Sequence, residues 1–174
     1  GPDAIILEHL GIAHFEEGDY ERAMTYFEEA KASEPAEPRF WTNFGKVYAS
    51  KGKADEAIKS YQKSLAIDPE YADAYHAIGE VLLSGKNYAQ SEKYFRKAIQ
   101  IQSGDPIFHV SLAKALIGEG RSSAALLPLE DALKYTQDPA TIAAIGRYRE
   151  MCHNPHPASR HGINTTEAIH KSGL

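Results

Sequence analysis

The chain has 174 residues, of which 43% are hydrophobic and 25% are charged, a balance typical of one soluble domain. Its formal net charge of -5 argues against a general nucleic-acid binder, because such proteins carry a basic face. No apolar run approaches the roughly 18 residues that a membrane-spanning helix needs, so the sequence predicts no membrane span.

Cysteine content and the N-terminus bear on the compartment. The single cysteine, Cys152, excludes an internal disulfide framework and fits a reducing compartment. No charged leader followed by an apolar stretch is visible, which also favours the cytoplasm. Gly1-Pro2 is typical of a scar left by tag removal, so the natural leader could be missing and a periplasmic location stays open as the alternative.

Five columns of similar residues recur at a spacing of 34 residues along most of the chain. Small residues fill some columns in every unit, and large apolar or aromatic residues fill the others. The columns are Gly11, Gly45, Gly79 and Ala113; Leu10, Phe44, Ile78 and Leu112; Ala23, Ala57, Ser91 and Ala125; Phe27, Tyr61, Phe95 and Leu129; and Ala30, Ser64, Ala98 and Ala132. Five columns in one register predict a stack of similar units in place of one globular core.

Each unit is predicted to fold as two helices joined by a turn. In the first unit, apolar residues recur at helical spacing from Leu7 to Phe15, and a turn follows at Gly18-Asp19. Pro35 ends the pair, because proline lacks the N–H group that a helix interior needs and disfavours helix in the residue before it. Glycine turns and terminating prolines recur in the later units, so the sequence predicts helix pairs at 4–33, 37–67, 71–102 and 106–136.

A ninth helix is predicted from Pro139 to Met151, with Ile142, Ile145 and Tyr148 on its apolar side. The last unit of a stack must cover the apolar face that it would otherwise expose, and a helix with a polar back does this. The periodicity stops after this helix, and the remaining segment contains two prolines and four histidines, which is typical of a flexible tail.

These patterns divide the chain into a lead, a solenoid and a His-rich tail. The predicted ranges are 1–3 for the tag scar and lead, 4–151 for the solenoid (units 4–37, 38–71, 72–105 and 106–139, with a cap at 140–151), and 152–174 for the tail.

The columns resemble the tetratricopeptide repeat (TPR), whose pattern runs W-x-x-L-G and then Y, A, F, A and P. The second unit fits best, and its matching residues are Trp41, Phe44, Gly45, Tyr48, Ala57, Tyr61 and Pro69. The resemblance covers about residues 4–137, and the fourth unit is the most degenerate. It implies an all-α fold: a right-handed α-solenoid of four TPR-like helix pairs with a C-terminal capping helix. It implies less about function, because one fold serves many partners.

In the TPR family the first helix of each pair lines the concave surface, and the resemblance implies the same here. The implied inner face is apolar at both ends and polar in the middle, which suits a segment with apolar anchors and a few hydrogen-bonding groups. Its residues lie outside the packing columns, so we expect their side chains to be available for binding. The expected partner-binding residues are Ile12, Phe15, Arg39, Asn43, Lys46, His76, Glu80, Val110, Lys114 and Ile117.

A narrower role in gripping chaperone tails is disfavoured. Some TPR proteins hold the C-terminal carboxylate of such a tail with lysine, asparagine and arginine side chains from three successive first helices. The corresponding residues here are Glu8, Ile12, Asn43, Asp73 and Ala77, and only the asparagine matches.

Two patterns in the tail suggest chemistry, and neither is specific. Arg160-His161-Gly162 matches the R-H-G of histidine phosphatases, but that motif opens an α/β domain and only 12 residues follow it here. Four side chains are acceptable zinc ligands, although their spacing matches no pair-and-pair arrangement. They are Cys152, His153, His156 and His161.

We therefore predict a non-catalytic scaffold or adaptor that binds a protein or peptide segment in the concave groove, without a cofactor or a metal ion. Self-association through the tail is a further expected contact, in which apolar tail residues dock on a groove of the same or a neighbouring copy. These residues are Ile163, Ala168, Ile169 and Leu174. The alternative is a recognition domain that belongs to a larger enzyme or to a secretion or assembly machine.

Overall fold

The computed structural model describes residues 3–153, and within this range all regular structure is α-helix. The helices form four antiparallel pairs followed by a last helix, as predicted, and the observed bounds lie within two residues of the predicted ones. The bounds are α1 Ala4–Glu16, α2 Tyr20–Ser33, α3 Pro38–Ser50, α4 Ala54–Ile67, α5 Ala72–Ser84, α6 Tyr88–Ile101, α7 Pro106–Gly118, α8 Ser122–Lys134 and α9 Pro139–His153. None of these helices combines the length and the hydrophobicity that crossing a bilayer requires.

Several predictions concern residues outside the described range. They are the tag scar at Gly1-Pro2, the R-H-G match, the docking of the tail, and the proposed zinc ligands His156 and His161.

The odd-numbered helices form one wall of the stack. Each of α1, α3, α5 and α7 contacts the next odd-numbered helix, whereas in residues 3–153 no Cα atoms of two even-numbered helices come within 8 Å. Because successive first helices lie closer together than successive second helices, the stack curves toward the first helices. The wall formed by α1, α3, α5 and α7 is therefore the concave, inner face of the stack.

The repeat columns form the core between the two walls. The large column of the second helices (Phe27, Tyr61, Phe95 and Leu129) is buried throughout. The aromatic rings of the first three units lie against the backbone of the glycine in the first helix of the same unit. Burying each of these side chains stabilises the fold by about 1.5–3 kcal/mol, so the columns hold each pair together.

One column position departs from this pattern at the N-terminal end. Leu10 is 41% exposed, although its counterparts Phe44, Ile78 and Leu112 are at most 3% exposed. In the later units the second helix of the preceding unit packs against this position, and no such helix lies on α1 within the described residues. The column is therefore a contact between units rather than within one unit.

Candidate functional site

All ten predicted partner-binding residues lie on the odd-numbered helices, but their side chains are not equally accessible. Helix α1 carries Ile12 and Phe15; α3 carries Arg39, Asn43 and Lys46; α5 carries His76 and Glu80; and α7 carries Val110, Lys114 and Ile117. The structure brings some of them together around one cleft and uses others in internal contacts.

Arg39 and Asn43 are held by carboxylates of the protein itself. The Nδ2 atom of Asn43, which is 5% exposed, donates to Oε1 of Glu8 at 2.9 Å. Arg39 Nε lies 2.8 Å from Glu8 Oε2, an ion pair without hydrogen-bond alignment, and its terminal nitrogens contact Glu34 and Glu37 at 2.9 and 3.2 Å. Asn43 therefore offers little free surface, and an incoming segment would first have to break these contacts to reach either side chain. The role of both residues in binding stays a prediction.

The surroundings of this cluster are negative. Burial, together with the carboxylates of Asp73 and Glu8, raises the pKa of nearby Tyr71 to about 12, although the Arg39 guanidinium opposes the shift. A carboxylate brought to Asn43 would therefore meet like charges, which agrees with the expectation that chaperone tails are not gripped here.

The predicted apolar anchors are also partly used by the core. Val110 is 8% exposed and belongs to the C-terminal core cluster together with Ile145, so it offers almost no free surface, contrary to the prediction. Ile117 is half-buried against the same cluster, and Ile12 and Phe15 are half-buried against the core between the first two units. These three present part of a side chain to the inner face.

His76 and Glu80 meet a buried hydroxyl from the next unit. The Ser111 hydroxyl, whose residue is 1% exposed, donates to Oε1 of Glu80 at 2.5 Å, and Nε2 of His76 lies 3.0 Å from the same oxygen. Since Ser111 gives its only proton to Glu80, the imidazole must donate its Nε2–H to Ser111. The His76 ring stacks on Phe108 with centroids 4.8 Å apart, and burial lowers the His76 pKa.

This group of serine, histidine and glutamate does not have the geometry of a hydrolase triad. In a triad the carboxylate holds the imidazole nitrogen opposite the one that faces the serine. Here Glu80 Oε1 lies 3.5 Å from Nε2, the nitrogen that already contacts Ser111. The serine is also buried, so the arrangement fixes the Glu80 side chain between α5 and α7.

A cleft of about 450 Å³ opens between α3 and α5 on the inner face. Ala49 of α3 and Ala77 and Val81 of α5 give it apolar walls, and Tyr61 of α4 also lines it. Three predicted site residues lie along it, namely Lys46, His76 and Glu80. Its volume lies in the lower part of the range of ligand pockets, roughly 300–1,000 Å³.

Two alanines create this cleft. Ala49 occupies the register at which the other units carry Phe15, Leu83 and Ile117, and Ala77 occupies the register of the larger Asn43. Two small side chains on facing helices therefore leave a hollow. Ala49 is not among the residues predicted from the sequence, although a comparison of this register between the units identifies it.

The rim of the cleft carries two charges of opposite sign. Lys46 is exposed, and no carboxylate of residues 3–153 lies within 4.0 Å of its ammonium group. Glu80 is partly exposed on the other wall. One unit further along, Lys114 is half-buried at the register of Lys46 and Glu80, and it too has no carboxylate partner in that part of the chain.

The described part of the chain holds no obvious metal centre. Within residues 3–153, no group of three or more histidine, cysteine, aspartate or glutamate side chains is placed to hold a metal ion. Cys152 is half-buried in this range, and burial raises its thiol pKa, which disfavours the thiolate form that binds metals.

Curated relatives resemble this chain over part of its length. The Hsp70-Hsp90 organising protein of Plasmodium falciparum is 27% identical over 108 residues, which are 62% of this chain and 43% of that protein. The small glutamine-rich tetratricopeptide repeat-containing protein 2 of Mycosarcoma maydis is 24% identical over 95 residues, 55% of this chain and 27% of that protein. The chain thus spans less than half of the length of these relatives.

Solved structures share the fold at low identity. A thermophilic TPR protein of Thermus thermophilus superposes with a TM-score of 0.73 at 18% identity, covering 83% of this chain and 80% of that one. The first TPR of Spaghetti, bound to the HSP90 peptide SRMEEVD, gives a TM-score of 0.60 at 19% identity, covering 68% of this chain and 94% of that one.

Two models of the tetratricopeptide repeat match the chain. The model described as "TPR repeat" matches residues 45–85, and the model described as "Tetratricopeptide repeat" matches residues 4–37 and 72–105. Together they cover more than half of the chain, and the helix pairs have the columns and the stacking described above. The chain belongs to the tetratricopeptide repeat family.

Proposed function

We propose that this chain is a non-catalytic adaptor that binds a segment of another protein on its inner face, with the cleft between α3 and α5 at the centre of the site. The observation that carries the proposal is the cleft itself. It has apolar walls, it opens to solvent, and beside it stands the Lys46 ammonium, which no carboxylate of the described residues neutralises.

The comparisons support the same class of function. The relatives include proteins named for organising chaperones, and one neighbouring structure holds a peptide. A protein-interaction role is therefore supported at the level of the family. At the residue level the site differs from one that grips a tail carboxylate, because Glu8 and Asp73 stand where such a site has basic side chains.

Lys46 is the predicted orienting residue that the structure leaves accessible, whereas Arg39 and Asn43 are held by Glu8. The apolar anchor of the partner would enter between Ala49 and Ala77. A segment that must order on binding loses conformational entropy, so we expect affinities on the order of micromolar.

The proposal is tested with one partner and four forms of this protein. A partner captured by the wild type is cut into overlapping peptides, and the dissociation constant of the bound peptide is measured for each form. Lys46→Glu reverses the free charge, and Ser84→Trp places an indole at the exposed rim of the cleft. Lys97→Glu is the matched control, because Lys97 is also an exposed lysine but lies on the outer helix α6.

We expect Lys46→Glu and Ser84→Trp to weaken binding by fivefold or more, and Lys97→Glu to leave it unchanged. Thermal unfolding of each form shows whether the stack is intact. Equal affinity for all four folded forms would overturn the assignment of the site.

A second candidate is a recognition domain that belongs to a larger enzyme or to a secretion or assembly machine. It is favoured by the observation that the relatives are much longer than the region they share with this chain. In that case the segment bound in the cleft is a substrate or a subunit of the larger protein. The mass and the activity of the full-length gene product, isolated from its source, distinguish the two candidates. A larger protein with an enzymatic or assembly activity would favour the second.

A further inference from the structure

The two walls of the cleft present opposite charges at the same register of successive units. Lys46 lies on α3 and Glu80 lies 34 residues later on α5, so both stand one residue after the glycine of their unit. They are more than 4.0 Å apart, so they do not form an ion pair across the cleft. An occupant of the cleft therefore passes between a cation and an anion.

Glu80 is fixed in this position by groups behind it. Ser111 donates to its Oε1 atom, and His76, stacked on Phe108, donates to Ser111. These contacts use one carboxylate oxygen and leave the other for solvent or for a ligand. Burial lowers the His76 pKa, so the imidazole is neutral near pH 7 and does not cancel the negative charge of Glu80.

Resting on the proposed function, we propose that the cleft selects a segment of mixed charge. An apolar side chain enters between Ala49 and Ala77, an acidic residue on one side of it meets Lys46, and a basic residue on the other side meets Glu80. A segment that is acidic on both sides would bring a carboxylate to Glu80, and like charges in a half-enclosed cleft repel. The selection therefore excludes peptides whose charges are all acidic.

Reversing the charge at Lys46 and removing the charge at Glu80 test the preference for an acidic residue and the preference for a basic residue separately. A displayed library of random dodecapeptides is selected on the wild type, on Lys46→Glu, on Glu80→Gln and on the outer-face control Lys97→Glu. Glutamine at position 80 removes the charge and still accepts the hydrogen bond from Ser111, so the packing between α5 and α7 is retained.

From the wild type and the control we expect peptides in which an apolar residue lies between an acid and a base. Peptides selected on Lys46→Glu should no longer prefer the acidic residue but should keep the basic one. Peptides selected on Glu80→Gln should no longer prefer the basic residue but should keep the acidic one. Individual peptides should lose about fivefold in affinity with each change. Enriched apolar peptides without a charge preference, or with the same preference in all four proteins, would overturn the selectivity and leave the groove intact. If the wild type enriches no peptide, the proposed function fails as well.

Discussion

Gly79 lies so close to the ring of Phe95 that a β-carbon on Gly79 would come 2.5 Å from Cε1 of that ring. The first two units repeat this contact between a glycine and an aromatic ring. The fourth unit has Ala113 in the glycine column and Leu129 in the aromatic column. The two columns therefore compensate in size, because the smaller leucine accompanies the added methyl group.

Gly79→Ala should destabilise the stack, because the ring of Phe95 would have to shift within a packed core. We expect a loss of about 1–3 kcal/mol in the free energy of unfolding, measured by urea denaturation. Gly146→Ala is the control, since apart from its chain neighbours and the nearby backbone of α9 no atom of the described residues would lie within 4 Å of the new β-carbon. There alanine should stabilise the helix by up to about 1 kcal/mol. Equal effects at both glycines would contradict the account of the contact.

The compensation between columns predicts a rescue in the fourth unit. Leu129→Phe places an aromatic ring against the methyl group of Ala113 and should destabilise by about 1–3 kcal/mol. Adding Ala113→Gly should restore part of this loss, although Ala113→Gly alone is destabilising. A double-mutant cycle measures the coupling, which should be about 0.5–3 kcal/mol in the favourable direction. Strictly additive effects would show that the two columns do not contact in this unit.

Leu10 and Leu112 have the same side chain at equivalent positions, but they should differ in their contribution to stability. Leu112→Ala empties a buried position and should cost about 2–5 kcal/mol. Leu10 is largely exposed, so Leu10→Ala should cost less than about 1 kcal/mol. The melting temperatures of the two variants check this directly. A large loss at Leu10 would mean that another element covers α1 in solution.

The helices and their order could be predicted from the sequence because the 34-residue repeat states the same pattern several times. The glycine and aromatic columns of the first three units pack against each other within their unit, so local sequence determines much of each helix pair. The use of the inner face could not be predicted in the same way. Asn43 donates a hydrogen bond to Glu8 of the preceding unit, and Ser111 donates one to Glu80 of its preceding unit. Such contacts depend on how neighbouring units are placed.

The cleft could be predicted from the sequence only in part. It depends on two alanines in different units, so no single unit reveals it, but the comparison of registers does. Lys46 was expected on the inner face from its register in the TPR pattern, and in the structure it is exposed and lines the cleft. Its role in binding stays a prediction.

Stability should fall as the pH is lowered through the titration of His76. Its folded pKa lies below the ordinary value of about 6.5 because burial disfavours the charged ring, and this outweighs the carboxylates of Glu80, Asp105 and Asp73. The unfolded chain therefore binds a proton that the folded chain does not. The free energy of unfolding should decrease from about pH 7.5 to about pH 5.5.

His76→Gln removes this titration and keeps an amide that can donate to Ser111. We expect the variant to lose less stability than the wild type over the same pH range. A direct NMR titration of the His76 ring should also give a pKa below that of an exposed histidine. Parallel stability curves, or a raised pKa, would contradict the described burial of the ring.

Photo-crosslinking tests the central claim most directly. A benzophenone amino acid replaces Ser50, which is exposed beside the cleft residue Ala49, in one protein and Lys97 on the outer helix in another. Both proteins are irradiated with the partner that the wild type captures. We expect a crosslink from position 50, reduced when Lys46→Glu is added, and none from position 97. A crosslink from position 97 without one from position 50 would show that the partner binds the outer wall instead.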